Sequence, residues 1–209
     1  MHGVDMTKSL AALVAAMAFI LPMPAAHADQ TIVFLRHGEK PPLGLGQLDC
    51  QGLNRALALP KVLQAKFGTP TAIYAPDPGS TATDKGVEYN YIRPLATIEP
   101  TAIRLGMPVN TSFGLRQIQQ LEQELLKPAY SSATIYVAWE HNLAQQAAQQ
   151  LVAAAGGSAQ QVPAWANDDF DSLYVLRVKW QKGKPVSVSF EKEAEGLNHQ
   201  SAECSGARS

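Results

Sequence analysis

The sequence predicts a three-layer α/β/α sandwich, on three observations. Runs of strand character alternate with runs of helix character along most of the chain, the pattern of a sheet covered by helices on both sides. Two of the strand runs, Thr31-Ile32-Val33-Phe34-Leu35 and Thr134-Ile135-Tyr136-Val137-Ala138, are rich in β-branched and aromatic residues and almost wholly apolar, as strands buried on both faces are. The helix runs that follow them stop at glycines, Gly68 and Gly156-Gly157, where a helix is readily closed.

After the first strand, a loop rich in proline and glycine, Pro41-Pro42-Leu43-Gly44-Leu45-Gly46, leads into an amphipathic helix over residues 51–67. Ala72-Ile73-Tyr74-Ala75 is a short second strand. Residues 76–86, rich in Asp, Pro, Gly, Ser and Thr, read as an irregular, mobile loop, and residues 76–90 as a specificity loop that names no substrate. Residues 93–105 predict a helix with Pro94 in its tolerated first turn, and Pro100 is expected to kink or split it. Over residues 114–126, Leu115, Ile118, Leu121, Leu125 and Leu126 recur near helical spacing with polar residues between, which predicts a surface helix lying on the sheet. The strand at 134–138 is followed by an alanine-rich helix over 143–155. Residues 172–180 and 185–191, separated by Lys182-Gly183-Lys184, read as a hairpin, and the polar tail from Glu195 as irregular.

Residues 1–28 read as a cleavable secretory signal: Lys8, an apolar run from Leu10 to Leu21, Pro22 and Pro24, then Ala26-His27-Ala28 with cleavage expected after Ala28. Such a run spans roughly 18 Å as a helix, against a hydrocarbon core of roughly 30 Å, so no stable membrane insertion is expected. Residues 29–209 suit one domain with one core. With 17 basic and 18 acidic residues the net charge is −1, so no overall field favours nucleic acid or an anionic membrane, and anion recognition must be local. Cys50 and Cys204 lack the close spacing of a metal site. After export they can pair as a disulfide that ties the tail to the first helix; the alternative is two free thiols.

Arg36-His37-Gly38 directly follows the first strand, and Glu140-His141 follows the strand ending near Trp139. Side chains placed there emerge at the carboxyl edge of a sheet, where α/β folds collect ligands on exposed loops above rigid strands. Gly38 lets the backbone turn close to a ligand. A phosphoryl group in transfer spreads negative charge over three oxygens, so its catalyst needs positioned cations, a nucleophile and a proton for the leaving oxygen. A neutral His37 can attack phosphorus, and neighbouring arginines favour neutrality. Arg36 and Arg93 can hold phosphate oxygens through planar forks. Arg93 sits at the positive end of a predicted helix, where a cation is unfavourable unless an anion joins it. His141 can donate to the same oxygens.

These three motifs in order, Arg36-His37-Gly38, Arg93-Pro94-Leu95-Ala96-Thr97 and His141 after a strand, resemble the histidine phosphatase superfamily, which includes the cofactor-dependent phosphoglycerate mutases. The resemblance extends from about residue 31 to residue 176, including Asp168 to Leu176. It implies a phosphoglycerate mutase-like fold with a mixed, mainly parallel sheet. It also implies a phosphohistidine on His37, a phosphate pocket of Arg36, Arg93 and His141, and discharge of the enzyme by water. For the proton donor the candidates are Glu140 and Glu39. The acid-phosphatase branch usually has Asp directly after the second histidine, where this chain has Asn142.

The reading is therefore an exported phosphatase, periplasmic or secreted, cleaving phosphomonoesters with no cofactor and no metal. Its expected partner is a small phosphorylated substrate, for which an envelope phosphosugar fits the compartment. The alternatives are an envelope protein that binds phosphate or a phosphoglycan without turnover, and a phosphatase of protein phosphohistidine. Asp168, Asp169 and Asp171 read as a solvated turn rather than a metal site, His199 as exposed, and Tyr89, Tyr91 and Trp139 as packing residues. Oligomeric state is not encoded in any motif.

Overall fold

The computed structural model of the chain describes residues 28–204. The expected leader lies outside the described residues, apart from Ala28, where the first strand begins. The strands are β1 (Ala28–Arg36), β2 (Ala72–Tyr74), β3 (Thr81–Asp84), β4 (Val87–Asn90), β5 (Thr134–Trp139), β6 (Ser172–Gln181) and β7 (Lys184–Ala194). The helices of more than one turn are α1 (Cys50–Phe67), α2 (Arg93–Leu105), α3 (Ile118–Leu125) and α4 (His141–Ala154).

The main sheet has the order β2-β5-β1-β6-β7. β1 pairs in parallel with β5, and β5 with β2, while β6 runs antiparallel to both β1 and β7. Four of the five strands therefore share one direction, the mixed and mainly parallel sheet that was expected. Period-two alternation divides β1 between two cores. Ile32 and Phe34 pack with Leu121, Leu125, Ala147 and Leu151 of α3 and α4, whereas Val33 and Leu35 pack with Leu59, Leu63, Ile98 and Ala102 of α1 and α2. Each such aliphatic side chain removed from water contributes about 1.5–3 kcal/mol, which is what holds the three layers together.

Four local expectations are corrected. The irregular loop expected over residues 76–86 gives way from Thr81 to a separate two-stranded hairpin, formed by β3 and β4. Its turn residues Lys85 and Gly86 both have positive φ, 51° and 83°, the tight geometry whose twist matches paired strands. Pro100 does not split α2; buried Ile98, Thr101 and Ala102 keep the residues on both sides of it against the sheet. α4 begins at His141, two residues early, because the Glu140 carboxylate caps it by accepting from the amides of Asn142 and Leu143. The helix at 114–126 is shorter than expected, covering Ile118–Leu125.

From Glu195 to Cys204 the tail is irregular, as expected, and it is pinned to α1. Cys204 is disulfide-bonded to Cys50 at the first residue of α1, with the two Cα atoms 4.6 Å apart. Beside it, Arg55 of α1 is fully buried among carboxylates from three parts of the chain, Glu39 at 2.6 Å, Glu195 at 2.7 Å and Asp171 at 3.1 Å.

Candidate active site

β1 and β5 lie side by side in register, with Arg36 opposite Trp139, so the residues that follow each strand emerge together at the same sheet edge. The His37 amide continues the ladder by donating to the Trp139 carbonyl at 3.3 Å. β5 has ended before Glu140, which frees Glu140 and His141 from strand alternation and lets both face this edge. α2 brings Arg93 to it from the side. Its neighbour Tyr91 sits between the two motifs: the Arg93 guanidinium lies 4.4 Å from the Tyr91 ring centroid, and the His37 ring meets Tyr91 edge-on at 5.8 Å.

His37 is the centre of the cluster. Its Nδ1 lies 2.7 Å from the Gly38 carbonyl oxygen, which can only accept, so Nδ1 carries the proton and Nε2 keeps its lone pair. Burial, opposed by this carbonyl and reinforced by the charges of Arg93 and Arg36, pushes the imidazole down to about 3. It is thus a neutral base throughout the physiological range. The loop carrying it is held closely, since a Cβ on Gly38 would stand 2.9 Å from both the Cα and the carbonyl oxygen of Gly52. The Gly38 amide donates to Thr97 Oγ1 of α2 at 2.9 Å.

The two arginines are buried beside it. Arg36 Nη1 donates to the carbonyl oxygens of Asn167 and Asp169 at 2.8 and 3.0 Å, and the guanidinium stacks 3.9 Å from the Phe170 ring centroid. Burial lowers its affinity for a proton, yet an arginine remains a cation. Arg93 Nη1 donates to Asp84 Oδ2 at 2.6 Å and to the Gly44 carbonyl at 3.2 Å. The Nε atoms of both arginines are buried and have no hydrogen-bond partner among the described residues. Unmatched donors of two cations around one imidazole form a site suited to an anion with several oxygens.

His141 Nε2 donates to Asn167 Oδ1 at 2.8 Å. Its Nδ1 lies 2.5 Å from Glu140 Oε1 but outside hydrogen-bonding geometry. Although burial opposes it, the His141 contact and the amides of Asn142 and Leu143 hold the Glu140 carboxyl down at about 2. A carboxylate so committed is a poor proton donor. Glu39 is no better placed, because both of its oxygens are engaged by the Nε and Nη2 of Arg55 at 2.9 and 2.6 Å. Of the expected residues, His37, Arg36, Arg93, His141 and Glu140 converge, while the Glu39 carboxyl is drawn toward the α1 cluster.

Asp84, Asn167 and Phe170 carry no sequence signal of their own for this site, and Tyr91, expected as a packing residue, lies against both His37 and Arg93. His199 is exposed, as expected; Asp169 accepts from the amides of Asp171 and Ser172, and Asp171, expected in a solvated turn, instead joins the cluster around buried Arg55. Among the described residues no group of three potential ligands could hold a metal, and no helix is long and apolar enough to cross a membrane.

No protein-family model and no curated protein matches the chain. Solved structures do. A phosphohistidine phosphatase SixA structure from Nakamurella multipartitia superposes with a TM-score of 0.53 at 12% identity, over 81% of this chain and 96% of that one. A mycobacterial hydrolase matches with a TM-score of 0.53 at 16% identity, over 79% and 89%. A mycobacterial glucosyl-3-phosphoglycerate phosphatase, solved with inorganic phosphate, matches with a TM-score of 0.50 at 17% identity, over 78% and 95%. The chain has the histidine phosphatase fold. In this fold, the strand end that carries Arg36 and His37 and the helix start that carries His141 form one edge, to which α2 adds Arg93.

Proposed function

We propose that the protein is an exported phosphatase that hydrolyses phosphomonoesters through a phosphohistidine on His37, without a metal. The observation that carries this reading is the fixed tautomer of His37: an unprotonated Nε2, in a ring held neutral at about 3, beside two buried arginines with unmatched donors. In this mechanism Arg36, Arg93 and His141 bind the phosphoryl oxygens, with His141 exchanging Asn167 for substrate. Nε2 attacks phosphorus, the ester oxygen leaves with the bonding pair, and water later displaces phosphate from the imidazole. The guanidinium pair supplies the charge that a metal would otherwise bring. Glu140 fits as the residue that positions His141 and begins α4, and Glu39 as the partner that fixes Arg55.

Export is supported by the apolar leader and by the disulfide between Cys50 and Cys204, a bond that persists in oxidising compartments. That setting favours periplasmic or secreted substrates such as an envelope phosphosugar.

The test is hydrolysis of an aryl phosphate by the chain in chelator, beside His37→Ala. Activity that the substitution abolishes, with an acid-labile phosphoryl group trapped on the parent, is expected. Binding of phosphate or vanadate with no turnover over a broad pH range would instead identify a phosphate- or phosphoglycan-binding envelope protein.

A further inference from the structure

The proposed reaction needs a proton for the leaving oxygen, and both carboxyl groups flanking the histidines in sequence are held by permanent partners. A third carboxyl reaches the site from the β3–β4 hairpin. Asp84 is the last residue of β3, presented by the two-residue turn Lys85-Gly86. Its Oδ2 takes Arg93 Nη1 at 2.6 Å and its Oδ1 takes Lys40 Nζ at 3.3 Å. The hairpin lies so close to the loop after β1 that a Cβ on Gly44 would stand 2.2 Å from Asp84 Cγ. The charged groups facing Asp84 are thus Arg93 from α2 and Lys40 from the β1–α1 loop.

Glu39 is held by Arg55 and Glu140 by the backbone amides that begin α4, neither of which a substrate would displace, whereas the principal partner of Asp84 is Arg93, a group that the phosphate itself is expected to claim. We propose that Asp84 is a catalytic residue, displaced from Arg93 by the incoming phosphomonoester and donating the proton to its leaving oxygen. The proposal rests on the phosphohistidine reading of His37. Without substrate, Arg93 and Lys40 outweigh burial and hold the Asp84 carboxyl below the usual carboxylate range. With a phosphate on Arg93, the guanidinium is shared with a second anion and like charge stands beside the carboxylate. Both changes favour uptake of a proton from solvent.

The steps balance. His37 Nε2 forms a bond to phosphorus, the bond from phosphorus to the ester oxygen breaks with its electron pair on oxygen, and that oxygen takes the Asp84 proton to leave as an alcohol. The Asp84 carboxylate then removes a proton from the attacking water. The P–N bond breaks with its pair returning to Nε2, and inorganic phosphate departs.

The experiment compares the parent with Asp84→Asn on a nitrophenyl phosphate and on an alkyl phosphate, using kcat/KM because it reports only the steps up to departure of the leaving group. Loss of a general acid should lower kcat/KM about 10²–10⁴-fold for the alkyl ester and less than about tenfold for the nitrophenyl ester, whose oxygen hardly needs a proton. The alkaline limb of the alkyl-ester pH profile should disappear in the variant. Turnover of the nitrophenyl ester and trapping of the phosphoenzyme show that the variant is folded. Equal losses on both esters, or a lower KM with kcat unchanged as expected of a mere plug on Arg93, overturn the assignment while leaving the phosphohistidine intact. Absence of a phosphoryl group on His37 in the parent overturns the underlying reading, and the assignment with it.

Discussion

Thr97 Oγ1 accepts the Gly38 amide at 2.9 Å and donates to the Arg93 carbonyl at 2.8 Å, so one buried hydroxyl joins the nucleophile loop to the helix that carries the second arginine. Thr97→Val keeps the shape and strands the Gly38 N–H. The expected cost is about 1–3 kcal/mol in urea unfolding, with kcat/KM lower by about tenfold as His37 and Arg93 lose registry. Thr97→Ser should retain most of both. An unchanged midpoint and rate for the valine variant would show that the hydroxyl carries neither role.

His37 makes stability depend on pH in a defined direction. Its ordinary value near 6.5 falls to about 3 in the folded chain. Between these values the unfolded state binds a proton that the folded state refuses, so this contribution is complete above about 6.5 and is lost as pH falls toward 3. Relative to the parent, His37→Asn should gain about 1–2 kcal/mol between pH 7 and pH 5. The readout is the difference between the two urea curves at each pH. A difference independent of pH would contradict the buried, neutral imidazole.

Glu195 acts with the opposite sign. Burial, reinforced by Asp171 and Glu39 and opposed by Arg55, lifts its carboxyl to about 8. Three carboxylates face one guanidinium, and Glu195 Oε1 has no partner among the described residues, so Glu195 is the group that keeps a proton. The unfolded chain releases that proton near pH 4–5, hence stability from this group declines as pH rises from about 5 to 8 and is then level. Glu195→Gln should therefore gain on the parent across that interval. A gain on lowering the pH instead would place the proton elsewhere in the cluster.

The disulfide closes a sequence separation of 154 residues. Chain-entropy reasoning assigns such a loop a stabilisation of about 5 kcal/mol, and removal of native disulfides costs about 2–5 kcal/mol. Reduction, or the double replacement Cys50→Ser with Cys204→Ser, should lower the denaturation midpoint accordingly. It should also release the segment whose Ser201 and Glu203 carbonyls accept from Asn54, seen as faster amide exchange in the tail. Retained protection after reduction would mean that the Arg55 cluster alone anchors the tail.

Much of this architecture is legible in one dimension. The buried strands β1 and β5 announce themselves by unbroken apolar runs, and α2 spans Arg93–Leu105, the bounds read with Pro94 in the first turn. The hairpin of β6 and β7 follows from Lys182-Gly183. The same dipeptide, Lys85-Gly86, turns β3 into β4, but the flanking residues, Thr81 to Asp84 and Val87 to Asn90, are too polar and exposed to read as strands. Their pairing packs little apolar surface, so periodicity had nothing to report.

What the sequence by itself determined is the α/β alternation, the two histidine motifs at strand ends, Arg93 at a helix start, and the pair of cysteines. Each is a local pattern whose physical cause, burial period or helix dipole, acts within a few residues. Only the tertiary structure decided which carboxyl meets which cation: Glu39 on Arg55, Glu140 on the start of α4, Asp84 on Arg93, and a buried Glu195 that retains its proton. Those choices depend on segments up to 140 residues apart arriving at one place, as Arg55 and Glu195 do. Charge pairing over such separations is settled by packing and desolvation, which no short stretch of sequence encodes.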